Sequence, residues 1–257
     1  MAQIIGILNI TPDSCSDGGL YMETYKAVEH AHQMLSDGAA WIDVGGESTR
    51  PGATPITPEE ELARVLPVIK ALIASGVRNL SIDTRNATTA RSCLEAGALW
   101  LNDVSALSHD PYMLTLAKDF EHVTLMHMYG ASHDIISEIA TFLKNRVEIA
   151  VNAGVSLGRI SIDPGIGFGK SADQDFTILK NLSAFSPIAP VYAGPSRKKF
   201  MGPLLGLPNY GPERDYGTIG AVLHAAQNGA SYIRVHNVRA AVDALKVLGA
   251  IMSAGNL

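Results

Sequence analysis

Asn79-Leu-Ser-Ile-Asp-Thr-Arg-Asn-Ala-Thr-Thr-Ala-Arg-Ser-Cys-Leu-Glu-Ala-Gly-Ala-Leu-Trp-Leu-Asn102 contains one complete strand–helix–strand unit. The apolar run 79–82 predicts a short strand that stops at Asp83. Residues 87–96 keep a helical period, and Gly97 supplies the stop just past the C-terminus. A second strand, 100–102, ends at Asn102. Strand, helix and strand in such close succession make a parallel unit, because parallel strands need a crossover. Each strand carries a polar residue at its C-terminal end.

The same unit recurs in both directions. Strands are predicted at 4–8, 40–44, 79–82, 100–102, 122–126, 160–162, 191–193 and 232–235. Helices are predicted at 24–36, 58–75, 87–96, 111–118, 134–153, 174–182, 217–228 and 238–252. Thr57-Pro-Glu-Glu-Glu-Leu62 reads as a helix start whose acids form a solvated face, and Gly38, Gly76, Gly154 and Gly229 as helix stops. Eight such units predict an α/β fold, a single (β/α)8 TIM barrel over residues 1–257 with its active site at the C-terminal ends of the strands. A doubly wound sheet shares the local pattern, but gathers its polar groups at one switch point. Here Asn9, Asp83, Asn102, Met126 to Met128, Asp163, Ser196 to Lys198, Arg234 and His236 fall at or just beyond nearly every strand end.

Composition narrows the function. The 257 residues are 47% hydrophobic and 18% charged, which suits a protein that buries a large core. A net charge of −5 argues against nucleic-acid binding. The densest basic run, Arg197-Lys198-Lys199, suits one small anion. Cys15 and Cys93 form no disulfide framework or metal spacing. No run approaches the roughly 18 apolar residues of a membrane span. These features predict a soluble cytoplasmic protein with no membrane partner.

Taken singly, the motifs have ordinary readings. Asp83-Thr84 and Asn102-Asp103 suit helix caps. His127 between two methionines suits a satisfied core histidine, and Cys93 buried packing. Gly169-Lys-Ser171 resembles the end of a phosphate loop, but Pro164 stands where its first glycine belongs, and Gly165, Gly167 and Gly169 miss the dinucleotide spacing. Gly130-Ala-Ser-His and Gly194-Pro-Ser-Arg lack the closing glycine of a nucleophile elbow. His30 and His32 lie about 200° apart around their helix and do not converge on zinc.

Together the motifs resemble the dihydropteroate synthase family from Gly6 to Val238. The resemblance is carried by Gly6-Ile-Leu-Asn-Ile-Thr-Pro-Asp-Ser-Cys-Ser-Asp-Gly-Gly19, Asp43-Val-Gly-Gly-Glu-Ser-Thr-Arg-Pro-Gly-Ala53 and Ser81-Ile-Asp-Thr84. It continues through Asn102-Asp-Val104, Met126-His-Met128, Asp163-Pro-Gly-Ile-Gly-Phe-Gly-Lys170, Gly194-Pro-Ser-Arg-Lys198 and Arg234-Val-His236. It implies condensation of 6-hydroxymethyl-7,8-dihydropterin diphosphate with p-aminobenzoate, giving 7,8-dihydropteroate and pyrophosphate.

The resemblance implies Asp163 and Asn102 at the amino-pyrimidine edge and Lys198 at the ring oxygen. It implies Asp83 as stabiliser of a cationic ring, with Arg234 on the ring face and Phe168, Met126 and Met128 nearby. Asn9, Thr49, Arg50, Pro51 and His236 match the pyrophosphate set, and Asp83, Lys198, Arg234 and His236 the catalytic group. Mg²⁺ fits the diphosphate, with Asn9 and Asp17 as protein ligands. The aryl carboxylate is expected at amides where a helix starts after Lys198, with Lys199 close by, under the mobile loops 13–19 and 48–53. A homodimer and sulfonamide inhibition are family expectations.

Cys15 stands where the family usually has Phe, Lys199 where it often has Ser, and Asn237 where it has Asp. Asn237 is expected to cap its helix as Asp does. Two alternatives share the pterin pocket: a methyltetrahydrofolate-binding methyltransferase barrel and a non-catalytic pterin-binding protein. Asn9 and Thr49-Arg-Pro51 have no use in the former.

Overall fold

A computed structural model describes residues 1–10, 19–47, 55–130, 133–207 and 211–254, with the backbone alone for 19–23. Eight parallel strands close a barrel in chain order, β1(Gln3–Asn9), β2(Trp41–Gly45), β3(Leu80–Asp83), β4(Trp100–Asp103), β5(His122–Met126), β6(Ile160–Asp163), β7(Val191–Ala193) and β8(Ala230–Val235). Around it run α1(Gly19–Ser36), α2(Pro58–Ala74), α3(Ala87–Ala96), α4(Met113–Leu116), α5(Ile135–Asn152), α6(Ala172–Lys180), α7(Met201–Leu205), α8(Asp215–Gln227) and α9(Val238–Ser253).

Period-two alternation divides the hydrophobic residues into two clusters. Ile4, Ile42, Leu80, Ile82, Leu101, Val123, Leu125 and Ile162 join the core under the helices. Ile5, Trp100 and Tyr192 form a separate cluster with Trp41 and Tyr232. Trp100 meets Trp41 and Tyr232 edge-on at centroid distances of 5.1 and 4.8 Å, and its indole N–H donates to Thr124 Oγ1 at 2.8 Å. Truncating so enclosed an indole costs about 3–5 kcal/mol. Two residues along the same strand from Trp100 comes Asn102, so β4 runs from an aromatic plug to a polar mouth.

Several boundaries differ from the sequence reading. Helix α1 starts at Gly19, because Leu20, Met22 and Glu23 are good helix formers and extend the element back. The helix expected at 111–118 has four residues, Met113–Leu116, continued by a 3-10 turn at Ala117–Asp119. The short helix α7 lies outside the eight periodic stretches and is the helix start that the family resemblance implies after Lys198. Gly97 ends α3 at φ +112, with its hypothetical Cβ 2.8 Å from Ile73 Cδ1, so no other residue fits there unstrained.

At the start of α2, Thr57 and Glu60 form the expected capping box. Its acids are not all solvated. Glu61 is buried and accepts from Thr84 Oγ1 at 2.8 Å and Asn86 Nδ2 at 3.0 Å, because α2 packs beside the β3–α3 loop.

Candidate active site

Lateral register assembles the mouth. Asn9 pairs with Gly45, Gly45 with Asp83, and Asp83 with Asn102, while Met126 pairs with Asp163 further round. Gly45 lies between two oxygen-bearing side chains, its hypothetical Cβ 3.6 Å from Asn9 Oδ1 and 3.7 Å from Asp83 Oδ2. Asn9 itself is exposed.

Asp43, one layer below, is fully buried and holds two side chains of the mouth. Its Oδ2 accepts from Arg234 Nε at 2.5 Å and from Asn102 Nδ2 at 3.0 Å. Arg234 also reaches Asp83, Nη2 to Oδ2, at 2.9 Å. Burial pushes the Asp83 carboxyl from 3.8 up to about 7; Arg234 opposes the rise, and Asp43, Glu61 and Asp103 add to it. Burial also works against charge on Arg234, but Asp43 and Asp83 outweigh it and keep the guanidinium protonated. Asp43 was not among the sequence-predicted site residues. Its signal was a lone acid between Ile42 and Val44, on the inward side of an otherwise apolar strand.

The capping readings of the neighbouring acids do not hold. Helix α3 has Asn86 at its N-cap without a side-chain cap bond, and the Ala87 amide donates instead to Asp110 Oδ2 at 2.9 Å. Asp83 is thereby left to the mouth. Asp103 accepts from Ser105 N–H, Ser105 Oγ and Leu107 N–H at 2.7, 2.7 and 2.9 Å, holding a turn where Ala106 and Leu107 have positive φ.

The loop after β6 is folded by sterics and one lysine. Asp163 Oδ1 accepts from Gly165 N–H at 2.7 Å. Gly165 has φ +72, and a Cβ there would sit 1.8 Å from the His127 carbonyl oxygen. Lys170 Nζ donates to the carbonyls of His127, Gly165 and Phe168, each at 3.0 Å, so this lysine closes the loop. The stem of Lys198 packs over Gly167, and its Nζ lies 3.9 Å from the Phe168 ring centroid. Burial raises Asp163 from 3.8 to about 6, against the Gly165 amide and Lys198. Burial lowers Lys198 from 10.5 to about 8, with Asp163 pulling the other way.

The basic run 197–199 divides into three environments. Arg197 pairs with both oxygens of Asp215, at 2.7 and 3.0 Å, which leaves Lys198 and Lys199 as the cations of the run not engaged in such a pair among the described residues. Lys198 is half-buried and Lys199 exposed. The helix expected after Lys198 is the five-residue α7. His236 Nδ1 lies 2.8 Å from Ser196 Oγ, which also accepts the His236 backbone N–H at 3.1 Å. Asn237 caps α9 through the Ala240 N–H at 3.1 Å, as expected.

Met126 is buried and Met128 half-buried; with Val104, His109 and Phe142 they line a cavity of about 550 Å³ on the β4–β5 side. His127 is buried, and burial first, then Lys170, lowers it to about 4, as suits a neutral core histidine. Thr49, Arg50, Pro51, Asp13, Cys15 and Asp17 lie outside the described residues. Among the described residues no helix is long and apolar enough to cross a membrane, and no group of three or more His, Cys, Asp or Glu gathers as a metal cluster.

A closed parallel barrel that brings the carboxylates of Asp83 and Asp163, the Asn102 amide, the Arg234 guanidinium and the Lys198 ammonium to one end has the form of a (β/α)8 enzyme with its site at that mouth. The family described as pterin binding enzyme matches residues 5–236. The dihydropteroate synthase of Streptococcus pyogenes serotype M6 is 44% identical over 255 residues, covering 98% of this chain and 96% of the relative. A solved structure of Xanthomonas albilineans dihydropteroate synthase with 4-aminobenzoic acid superposes with a TM-score of 0.93 at 42% identity, covering 98% of this chain and 94% of that one. The same organism's enzyme in complex with 7,8-dihydropteroate gives 0.90 at 40% identity, with the same coverage. The chain belongs to the pterin-binding enzymes, and within them to the dihydropteroate synthases.

Proposed function

We propose that this barrel mouth joins 6-hydroxymethyl-7,8-dihydropterin diphosphate to p-aminobenzoate by departure of pyrophosphate before attack of the amine. The observation that carries this reading is the Asp163–Asn102–Asp83 arc with Lys198 and Arg234 between its ends. Asn102 donates one N–H to Asp43, which fixes the amide's orientation and leaves its carbonyl oxygen as an acceptor for a ligand. Asp163 uses Oδ1 on Gly165 and has Oδ2 left among the described residues. Two acceptors suit the donor edge of an amino-pyrimidine, and Lys198 donates to the ring carbonyl oxygen.

The C–O bond of the methylene breaks, and its electron pair leaves with pyrophosphate. Positive charge spreads into the dihydropterin ring, where the Asp83 carboxylate stabilises it and Arg234 covers the face. The aryl amine lone pair forms the C–N bond, and the ammonium then loses a proton to solvent or pyrophosphate. No protein nucleophile is needed. Cys93, the free thiol among the described residues, is buried and held up at about 12.

Asn9, Thr49, Arg50, Pro51 and His236 are assigned to the diphosphate. Mg²⁺ suits this edge: Asn9 offers one hard amide oxygen at an exposed strand end, as befits an ion that keeps several waters. Asn9 and Asp17 would hold it, and when bound it neutralises charge on the leaving group. The aryl carboxylate, and sulfonamides that mimic it, would sit near Lys198, Lys199 and the start of α7. A homodimer goes with this reading, supported by the exposure of Leu204 on α7 and Tyr216 on α8.

Mixing the purified chain with both substrates and Mg²⁺ and measuring pyrophosphate together with dihydropteroate tests the proposal. Equal amounts of both products are expected. Pterin binding without product would favour the non-catalytic alternative, and methyl transfer from methyltetrahydrofolate the other.

A further inference from the structure

Asp43 has no role in the reaction as written above, yet two of its participants hang from a single oxygen of it. It is fully buried on the inner face of β2, Oδ2 accepts from both Arg234 and Asn102, and among the described residues Oδ1 has no hydrogen-bond partner. A buried carboxylate with an oxygen unsatisfied costs free energy that packing alone does not explain. We propose that Asp43 is a positioning residue of the reaction, which orients the Asn102 amide and engages Arg234 so that the charge of Asp83 stays available to the pterin ring.

The argument has a geometric half and an electrostatic half, and both rest on the condensation reading above. An amide can present either end to a ligand. Asp43, an acceptor only, takes the NH2 end of Asn102, so the acceptor end is fixed for the substrate. Arg234 carries one positive charge between two carboxylates, Asp43 at 2.5 Å and Asp83 at 2.9 Å. Were Asp43 neutral, Arg234 and Asp83 would form a one-to-one pair, and little negative potential would remain for a cation forming above them. Asp83 is faced by Arg234 on β8, Asp43 on β2, Glu61 on α2 and Asp103 on β4. Of these, Asp43 and Arg234 share the direct ion-pair network with it. Asp43 itself is faced by Arg234, by Asp83 and by the Tyr192 hydroxyl on β7.

Asp43→Asn and Asp43→Ser separate the halves. Asn keeps an oxygen for both donors and removes the charge, whereas Ser shortens the side chain and withdraws the acceptor. With both substrates, Asp43→Asn is expected to lower kcat about tenfold, with the pterin KM within about threefold of wild type. The acid limb of its kcat profile should move down by about one pH unit, because Asp83 loses a like-charged neighbour. Asp43→Ser should add a rise in pterin KM of about tenfold, since Asn102 becomes free to turn. A residue that merely fills the barrel would move neither the pH limb nor the split between kcat and KM. Asp43→Asn with wild-type kcat and pH profile overturns the proposal, and so does failure of both variants to fold. A wild-type chain that releases no pyrophosphate sinks the condensation reading instead. The Asn102 half is then decided by pterin affinity of wild type and Asp43→Ser in calorimetry, where equal affinities overturn it.

Discussion

Arg234 Nη2 on β8 lies 2.9 Å from Asp83 Oδ2 on β3, joining residues that the chain separates by most of its length. The pair spans the barrel mouth, with its guanidinium also held from below by Asp43. Asp83 therefore faces the substrate with its charge partly compensated. That suits a group whose work comes when the ring turns cationic.

Asp83→Asn should accordingly lower kcat by about a hundredfold, the scale of losing one electrostatic stabiliser of a developing charge. The pterin KM should change by less than about threefold. Steady-state kinetics with varied pterin diphosphate decide this. A variant impaired mainly in KM would show that Asp83 is a ground-state contact.

Asp163→Asn should do the reverse. Loss of a charge-assisted contact to the amino-pyrimidine edge is worth roughly 1.5–3 kcal/mol of pterin binding. The same change should stabilise the fold. The Asp163 carboxyl stands near 6 when folded against 3.8 in the open chain, so folding favours its protonated form. That contribution is greatest below about pH 4 and is lost as pH rises through 6, which leaves a cost on the order of 3 kcal/mol at neutral pH. Thermal unfolding at pH 7.5 should show the variant several degrees more stable. An unchanged or lower midpoint contradicts this.

Pterin affinity should be bell-shaped in pH. Asp163 must be ionised to accept, so binding weakens as pH falls through about 6. Lys198 must be protonated to donate, so binding weakens again above about 8. Calorimetry across that range measures both limbs, and Asp163→Asn should abolish the acid one. A flat profile in the unmodified chain would mean that neither group titrates in the free site.

Gly165→Ala should damage the site more than the barrel. Its Cβ would meet the His127 carbonyl oxygen at 1.8 Å, and φ is +72, so the loop must move. Strain of this kind costs about 1–3 kcal/mol. The displaced loop carries Phe168 and Lys170, and pterin affinity should drop at least tenfold while circular dichroism stays that of a folded barrel. Wild-type affinity would show that the loop absorbs the methyl group elsewhere.

Binding should be ordered. On the proposed reading the diphosphate and Mg²⁺ would complete the second pocket, so p-aminobenzoate alone should bind weakly and tighten when pyrophosphate and Mg²⁺ are present. Calorimetry in the two conditions tests this, and equal affinity in both would favour independent sites.

The eight strands and most of the helices were legible from local chemistry: apolar runs of strand length, helical periods, the Thr57–Glu60 capping box and glycine stops such as Gly97 act over a few residues. Asp83, Asn102, Asp163, Lys198 and Arg234 were legible too, because a strand end places its last polar side chain at the mouth of a parallel barrel whatever the rest of the chain does. Partnership across the barrel depends on closure and was not legible in any local pattern. The sequence ruled Lys170 out of a phosphate loop but did not show that it closes its own loop on three carbonyls. Arg197 looked like part of an anion site and pairs with Asp215. Glu61 looked solvated and is buried under Thr84 and Asn86. Asp43 attracted no role until Arg234 and Asn102 were seen to share its Oδ2. A periodic pattern records which face a side chain occupies. Barrel closure sets which charge stands opposite it, and therefore its charge state and its work.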